Sequence, residues 1–208
     1  MFSKTIQVVF FLWVFSVTSV YAENIDPYED DSQYAYSENV GWLNFEPNIA
    51  GPNVGAAVSS SKLTGFIWAE NIGWINLSPS TYGGVINDGT GRLSGYAWGE
   101  NVGWINFSPS YGGVAIDPEG KFDGWAWGEN IGWINFDSAD LYGYNVKACK
   151  VNFIIYARFA EQWFQSLCNA GNDWCSGADI DQLGDVDWLD LGLFADEWLD
   201  YCPGDWLL

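Results

Sequence analysis

Four copies of one pattern run through the first two thirds of the chain: Tyr36-Ser-Glu-Asn-Val-Gly-Trp42-Leu-Asn-Phe45, Trp68-Ala-Glu-Asn-Ile-Gly-Trp74-Ile-Asn-Leu77, Trp98-Gly-Glu-Asn-Val-Gly-Trp104-Ile-Asn-Phe107 and Trp127-Gly-Glu-Asn-Ile-Gly-Trp133-Ile-Asn-Phe136. Their second tryptophans stand at 42, 74, 104 and 133, so the steps are 32, 30 and 29 residues. A period of this size marks an array of one supersecondary unit, each copy burying its apolar face on its neighbours.

Within a unit, two β-prone runs flank a turn, as in Gly84-Val-Ile-Asn87, Asp88-Gly-Thr-Gly91, Arg92-Leu-Ser-Gly-Tyr-Ala-Trp98. Asp-Gly and Pro-Glu-Gly are hairpin turns. Glu-Asn before a β-branched residue and Gly makes a second reversal, and Trp-Ile-Asn-Phe a third strand. Side chains alternate faces along a strand, so Trp133 and Asn135 share one face while Ile134 and Phe136 share the other. Large apolar residues on both faces predict sheets buried on both sides. Gly41, Gly73, Gly103 and Gly132 predict room for a neighbouring ring against bare backbone. The fold class is therefore a mainly β repeat array of three short strands per unit, an antiparallel β-solenoid or layered meander, with a small α-helical module after it. A small β-propeller is the alternative, although its blades ordinarily carry a fourth strand.

Residues 1–22 read as a signal peptide: Lys4, an apolar run over Val8 to Phe15, then Val20-Tyr21-Ala22 as a small-residue cleavage site. The apolar core falls short of the ~20 residues needed to span a bilayer. An acidic leader, 23–33, reads as a solvated tail. The array covers 34–137 and the module 138–208. Without the signal, 27 acids face six bases, a net charge of −21. That excludes phosphate-rich partners, nucleic acid and anionic membrane alike, and favours divalent cations. Aromatic residues make up 18% of the chain, which excludes disorder. Histidine is absent, removing the commonest general base and metal ligand together. No asymmetric pair of carboxylates stands out among four equivalent copies, so the chain reads as no enzyme.

All four cysteines lie in the last third, with no C-x-x-C pair. In an exported chain they read as two disulfides; Cys168 with Cys175, closing a short loop, and Cys149 with Cys202, clasping the ends of the module, is the favoured pairing, and the sequence leaves the other two connectivities open. A second duplication has a 35-residue offset: Phe159-Ala-Glu-Gln-Trp163 matches Phe194-Ala-Asp-Glu-Trp198. Tyr156, Phe159, Ala160 and Trp163 fall on one helical stripe, as do Leu191, Phe194, Ala195 and Trp198, so two helices should pack face to face.

Between them, Asp179, Asp181, Asp187 and Asp190 take positions one, three, nine and twelve of a twelve-residue loop, Gly184 position six and Asp185 position seven. That spacing wraps oxygens round one Ca²⁺. Two loop-helix halves with Asp closing the loop resemble type I dockerins, the small modules that attach secreted bacterial proteins to cohesins. The resemblance covers roughly 144–202. It implies that Asp190, Asp179 and Asp181 are ligands and that the partner is a cohesin-like or other surface protein. In the first half the matching positions are Tyr144, Val146, Ala148 and Ile155, so that half holds no ion. The positions of the family's recognition pairs carry Phe153-Ile154 and Trp188-Leu189.

Glu38, Glu70, Glu100 and Glu129, each followed by Asn, admit two roles. Beside tryptophans they offer a polysaccharide a ligand ladder; at a turn they hold local backbone. The chain thus reads as a secreted or cell-surface, non-catalytic component of an extracellular assembly. A carbohydrate-binding protein is the alternative.

Overall fold

The structure, a computed structural model, describes residues 24–47, 54–138 and 143–202. The signal segment, 1–22, lies outside them. Each repeat forms a hairpin: β1 (Tyr34–Ser37) with β2 (Gly41–Asn44), β5 (Phe66–Ala69) with β6 (Gly73–Asn76), β8 (Leu93–Gly99) with β9 (Gly103–Asn106), and β11 (Phe122–Gly128) with β12 (Gly132–Asn135). β2 pairs with β5, β6 with β8, β9 with β11, and β12 returns to β1. Eight antiparallel strands therefore close a barrel. The mainly β class holds, but the array is neither a solenoid nor a propeller: its units are related by rotation about one axis. Closure pairs both edges of every hairpin and leaves none open.

The inward positions explain why the ring closes. Ala35, Ile67, Ala97 and Ala126 form one layer, Leu43, Ile75, Ile105 and Ile134 the next, and Phe45, Leu77, Phe107 and Phe136 a third, all buried. Eight strands enclose a lumen just wide enough for such layers to fill. At the turn end stand Ser37, Ala69, Gly99 and Gly128. There each hairpin turns through three residues, 38–40, 70–72, 100–102 and 129–131, ending on a glycine at φ 75–81°. That left-handed residue after a tight turn is the three-residue hairpin with a bulge. The neighbour nearest each of these glycines is an asparagine amide and not a tryptophan ring, contrary to expectation; a ring atom approaches only Gly132, where Trp127 stands at 4.0 Å. The atom nearest a Cβ on Gly103 would be the Asn130 amide nitrogen, at 3.5 Å.

That amide is one of four. Asn71 donates to Val40 O, Asn101 to Ile72 O, Asn130 to Val102 O and Asn39 to Ile131 O, each at 3.0 Å. Every unit thus holds the next through its turn, and the fourth bond closes the circle. Above the lumen Val40, Val102 and Ile131 are buried as a plug, with Ile72 packed against them.

Beyond the Phe layer the units carry their remaining strands: β3 (Ala57–Val58) with β4 (Leu63–Thr64), β7 (Val85–Asn87) on β8, and β10 (Gly113–Ile116) on β11. Three strands per unit is as expected. The first unit receives its third strand from the far end of the array. Residues 145–148 bridge Asp137, Gln33, Lys121 and Ile25. Ala148 N donates to Gly120 O at 2.8 Å, as Ile116 N does to Gly91 O at 2.7 Å in the preceding unit. A Cβ on either glycine would collide with the facing carbonyl oxygen. Tyr144, Val146 and Ala148, buried, are therefore a barrel strand and not a calcium loop that lost its acids. The leader is not a solvated tail either. Asn24, Ile25 and Asp26 are buried, and Tyr28 lies between Lys147 at 4.5 Å and Arg158 at 4.8 Å.

From Val151 a second core begins, made of Val151, Ile155, Phe159, Ala178, Val186, Phe194 and the cysteines. The chain forms helix α1 (Phe153–Glu161), a single turn α2 (Asp173–Ser176) and helix α3 (Trp188–Asp196). Asn152 caps α1 and Asp187 caps α3. The 35-residue duplication emerges as a local two-fold: Leu199 N donates to Val151 O, and Phe164 N to Val186 O. The helices meet through Phe159 and Phe194, ring centroids 5.1 Å apart. Cys149–Cys202 and Cys168–Cys175 are both formed, as expected. Two disulfides indicate an oxidising environment. Among the described residues no helix is long and apolar enough to cross a membrane.

Candidate functional site

The face that alternates with the lumen looks outward and is aromatic. Tyr36 pairs directly across the hairpin with Trp42, Trp68 with Trp74, Trp98 with Trp104 and Trp127 with Trp133. Their centroids lie 4.9, 4.8, 4.6 and 4.8 Å apart, with planes steeply inclined. A third ring sits two residues earlier in each unit, Tyr34, Phe66, Tyr96 or Trp125, 6.0 to 6.4 Å from the second tryptophan. Twelve rings thus belt the barrel. Cross-strand aromatic pairs stabilise a hairpin by ~0.5–1.5 kcal/mol beyond their buried area, so part of the belt's role is structural. The expectation of burial on both faces fails here: Trp42, Trp125, Trp127 and Trp133 are 37–50% exposed.

Where the fourth unit meets the first, the belt deepens into a groove of about 1120 Å³. Trp125, Trp127 and Trp133 form one side and Tyr36 and Trp42 the other. Tyr144 closes the end, edge-on to Trp42 at 5.1 Å. Glu38, Asn39, Asn135 and Ser138 supply polar atoms. Asn135 also accepts from Asp137 N, as Asn44, Asn76 and Asn106 accept from the amide two residues on. The four glutamates stand exposed on the four turns at the plugged end. They form a rim around the axis, and only Glu38 lines this groove. The asparagines following them serve the ring of turn bonds. Sequence reasoning placed Tyr144 at a loop position and did not single out Trp125; the period-two alternation of the strands was the signal for the outward rings.

The acidic loop gathers three of its five candidate ligands. Carboxylate oxygens of Asp179, Asp181 and Asp190 lie within 4.8 Å of one another. Asp179 and Asp190 are buried, 1% and 0% exposed. Asp179 accepts from Leu183 N at 3.1 Å and Gly184 N at 2.9 Å, Asp190 from Asp181 N at 3.1 Å and Asp187 N at 2.8 Å. Burial raises the pKa of Asp179, the Gly184 amide opposes this, and the charge on Asp190 adds to it. Two buried carboxylates facing each other are costly without a cation, so these residues fit one. Asp185 and Asp187 stand outside the cluster: Asp187 holds Leu189 N as helix cap, and exposed Asp185 bridges Ser166.

Fold and surface together define a closed, aromatic-belted β-barrel carrying a disulfide-linked helical module. No protein-family model, characterised protein or solved structure matches this chain.

Proposed function

We propose that the chain is an exported, non-catalytic protein whose barrel binds neutral extracellular polysaccharide in the groove between its fourth and first repeats. The observation that carries this reading is the groove itself: five half-open indole and phenol rings flank a carboxylate and two carboxamides. Flat rings stack on the apolar faces of sugars, and the polar groups fix hydroxyls. An excess of acids over bases disfavours acidic glycans. Tryptophan emission, titrated with gluco-, xylo-, manno- and chito-oligosaccharides and with oligogalacturonate, tests the reading. One neutral series should give a saturable change, with Kd raised about 10-fold or more in Trp42→Ala, which is ~1.4 kcal/mol. A flat response to every neutral series, or preference for the anionic one, removes it.

The helical module is then a dockerin-like attachment element holding one Ca²⁺ on Asp179, Asp181 and Asp190. Phe153, Ile154, Trp188 and Leu189, 54–76% exposed at the two helix starts, support a protein partner, cohesin-like or another surface protein. Calorimetry of the metal-free protein with Ca²⁺ should give one site, lost in Asp179→Asn. Equal heats in both proteins would sink the assignment.

A further inference from the structure

The ring pattern that flanks the groove between the fourth and first repeats recurs half a turn away. Four strands, β1, β2, β5 and β6, separate the β12–β1 seam from the β6–β8 seam in one direction, and β8, β9, β11 and β12 in the other. At the first seam Asn135 is the backbone partner of Tyr36; at the second, Asn76 is that of Trp98. Trp127 and Trp133 on one side correspond to Trp68 and Trp74, and Tyr36 and Trp42 on the other correspond to Trp98 and Trp104. The end wall repeats too. Tyr82, from the connector between the second and third repeats, stands edge-on to Trp104 at 5.0 Å and 75°, as Tyr144 stands to Trp42 at 5.1 Å and 87°.

Tyr82 decides between a structural and a binding role. Cross-strand pairing accounts for Trp98 against Trp104, which face each other within one hairpin. It does not account for a tyrosine that belongs to no strand, holds φ +59° and remains 72% exposed while edging Trp104 and Tyr96. Such a residue costs ~1–2 kcal/mol in backbone terms, and it widens an aromatic platform open to solvent. The seam between the third and fourth repeats lacks this wall: Tyr111, on its connector, is 94% exposed.

We propose that Trp68, Trp74, Asn76, Tyr82, Trp98 and Trp104 form a second neutral-glycan site, so that one barrel bridges two polysaccharide chains. The inference rests on the glycan reading of the first groove and adds valency to it. The sites look in opposite directions from a rigid barrel, so one straight chain cannot occupy both. Two-site engagement of separate chains cross-links them, and linked sites gain avidity by effective concentration.

The test uses the full chain and the shortest oligosaccharide that saturates the tryptophan signal. Calorimetry should give two sites per chain in the wild type and one in Tyr82→Ala, a connector substitution that leaves every hairpin pair in place. Trp42→Ala should also retain one site, the other one, and the Tyr82→Ala/Trp42→Ala double variant none. Mixed with the parent soluble polysaccharide, the wild type should raise light scattering at least several-fold, and neither single variant should. One site in the wild type, abolished by Trp42→Ala and untouched by Tyr82→Ala, overturns the second site and leaves the first groove standing. No heat with any neutral glycan overturns both. Thermal melts of each variant within a few degrees of wild type show that lost sites are not lost fold.

Discussion

A chain ending at Asp137 should not fold: it should show no cooperative thermal transition and should aggregate on warming. Residues 144–148 supply Val146 and Ala148 to the barrel core, both 0% exposed. Their backbone takes Phe122 N on Val146 O at 2.8 Å and Tyr34 N on Asn145 O at 3.0 Å, and gives Lys147 N to Ser32 O at 2.8 Å. Removing them unpairs the start of β11 and the leader at once, and each bare edge templates association. A chain ending at Val151, with Cys149 changed to Ser, keeps this strand and should regain a cooperative melt. Equal melts for the two truncated chains would refute the closing-strand account. This coupling also means that the helical module is joined to the barrel by more than a linker: the strand that completes the first repeat runs directly into the first cysteine.

The second large effect concerns the disulfides, and loop length decides their order. Cys149–Cys202 closes 53 residues and Cys168–Cys175 closes seven. Chain-entropy arguments assign about 4 kcal/mol to the first and about 2 kcal/mol to the second. The longer link also brings the end of the module back to the barrel, where Asn24 Nδ2 donates to Cys202 O at 2.9 Å. Urea unfolding of Cys149→Ser/Cys202→Ser should therefore show a midpoint well below that of Cys168→Ser/Cys175→Ser. The reverse order would refute the chain-entropy ranking and mean that native-state packing around the shorter loop sets the difference.

Much of this architecture was readable before the coordinates. The four hairpins, three strands per unit, the opposite faces of Trp133 and Ile134 and the contact of the two helices all follow from period and alternation; the favoured cysteine pairing is the one formed, although placement alone allowed two others. The closure of the barrel was not. A spacing of 29–32 residues defines a unit but says nothing about whether the next copy is translated or rotated. That choice rests on Asn39, Asn71, Asn101 and Asn130, each reaching across to a neighbouring turn, and on Ser37, Ala69, Gly99 and Gly128, small enough to crowd one end of a lumen.

The closing strand was concealed for another reason. Aligning the two helices placed Tyr144, Val146 and Ala148 at loop positions, yet their alternation with Asn145 and Lys147 is a strand signal that the 35-residue offset overrode. Of the five loop acids, Asp185 and Asp187 did not join the cluster. A helix cap wants an acid as much as a cation does, and Asp187 serves the cap.

The circular chain of asparagine bonds has a consequence for how such a protein can change over time. Open arrays grow or shrink by one module because their ends tolerate it. Here a fifth copy would make ten strands, and Phe45, Leu77, Phe107 and Phe136 could no longer meet across the axis. Copy number in this architecture is quantised at four, so divergence must proceed within the modules, one wall at a time, and not by their duplication.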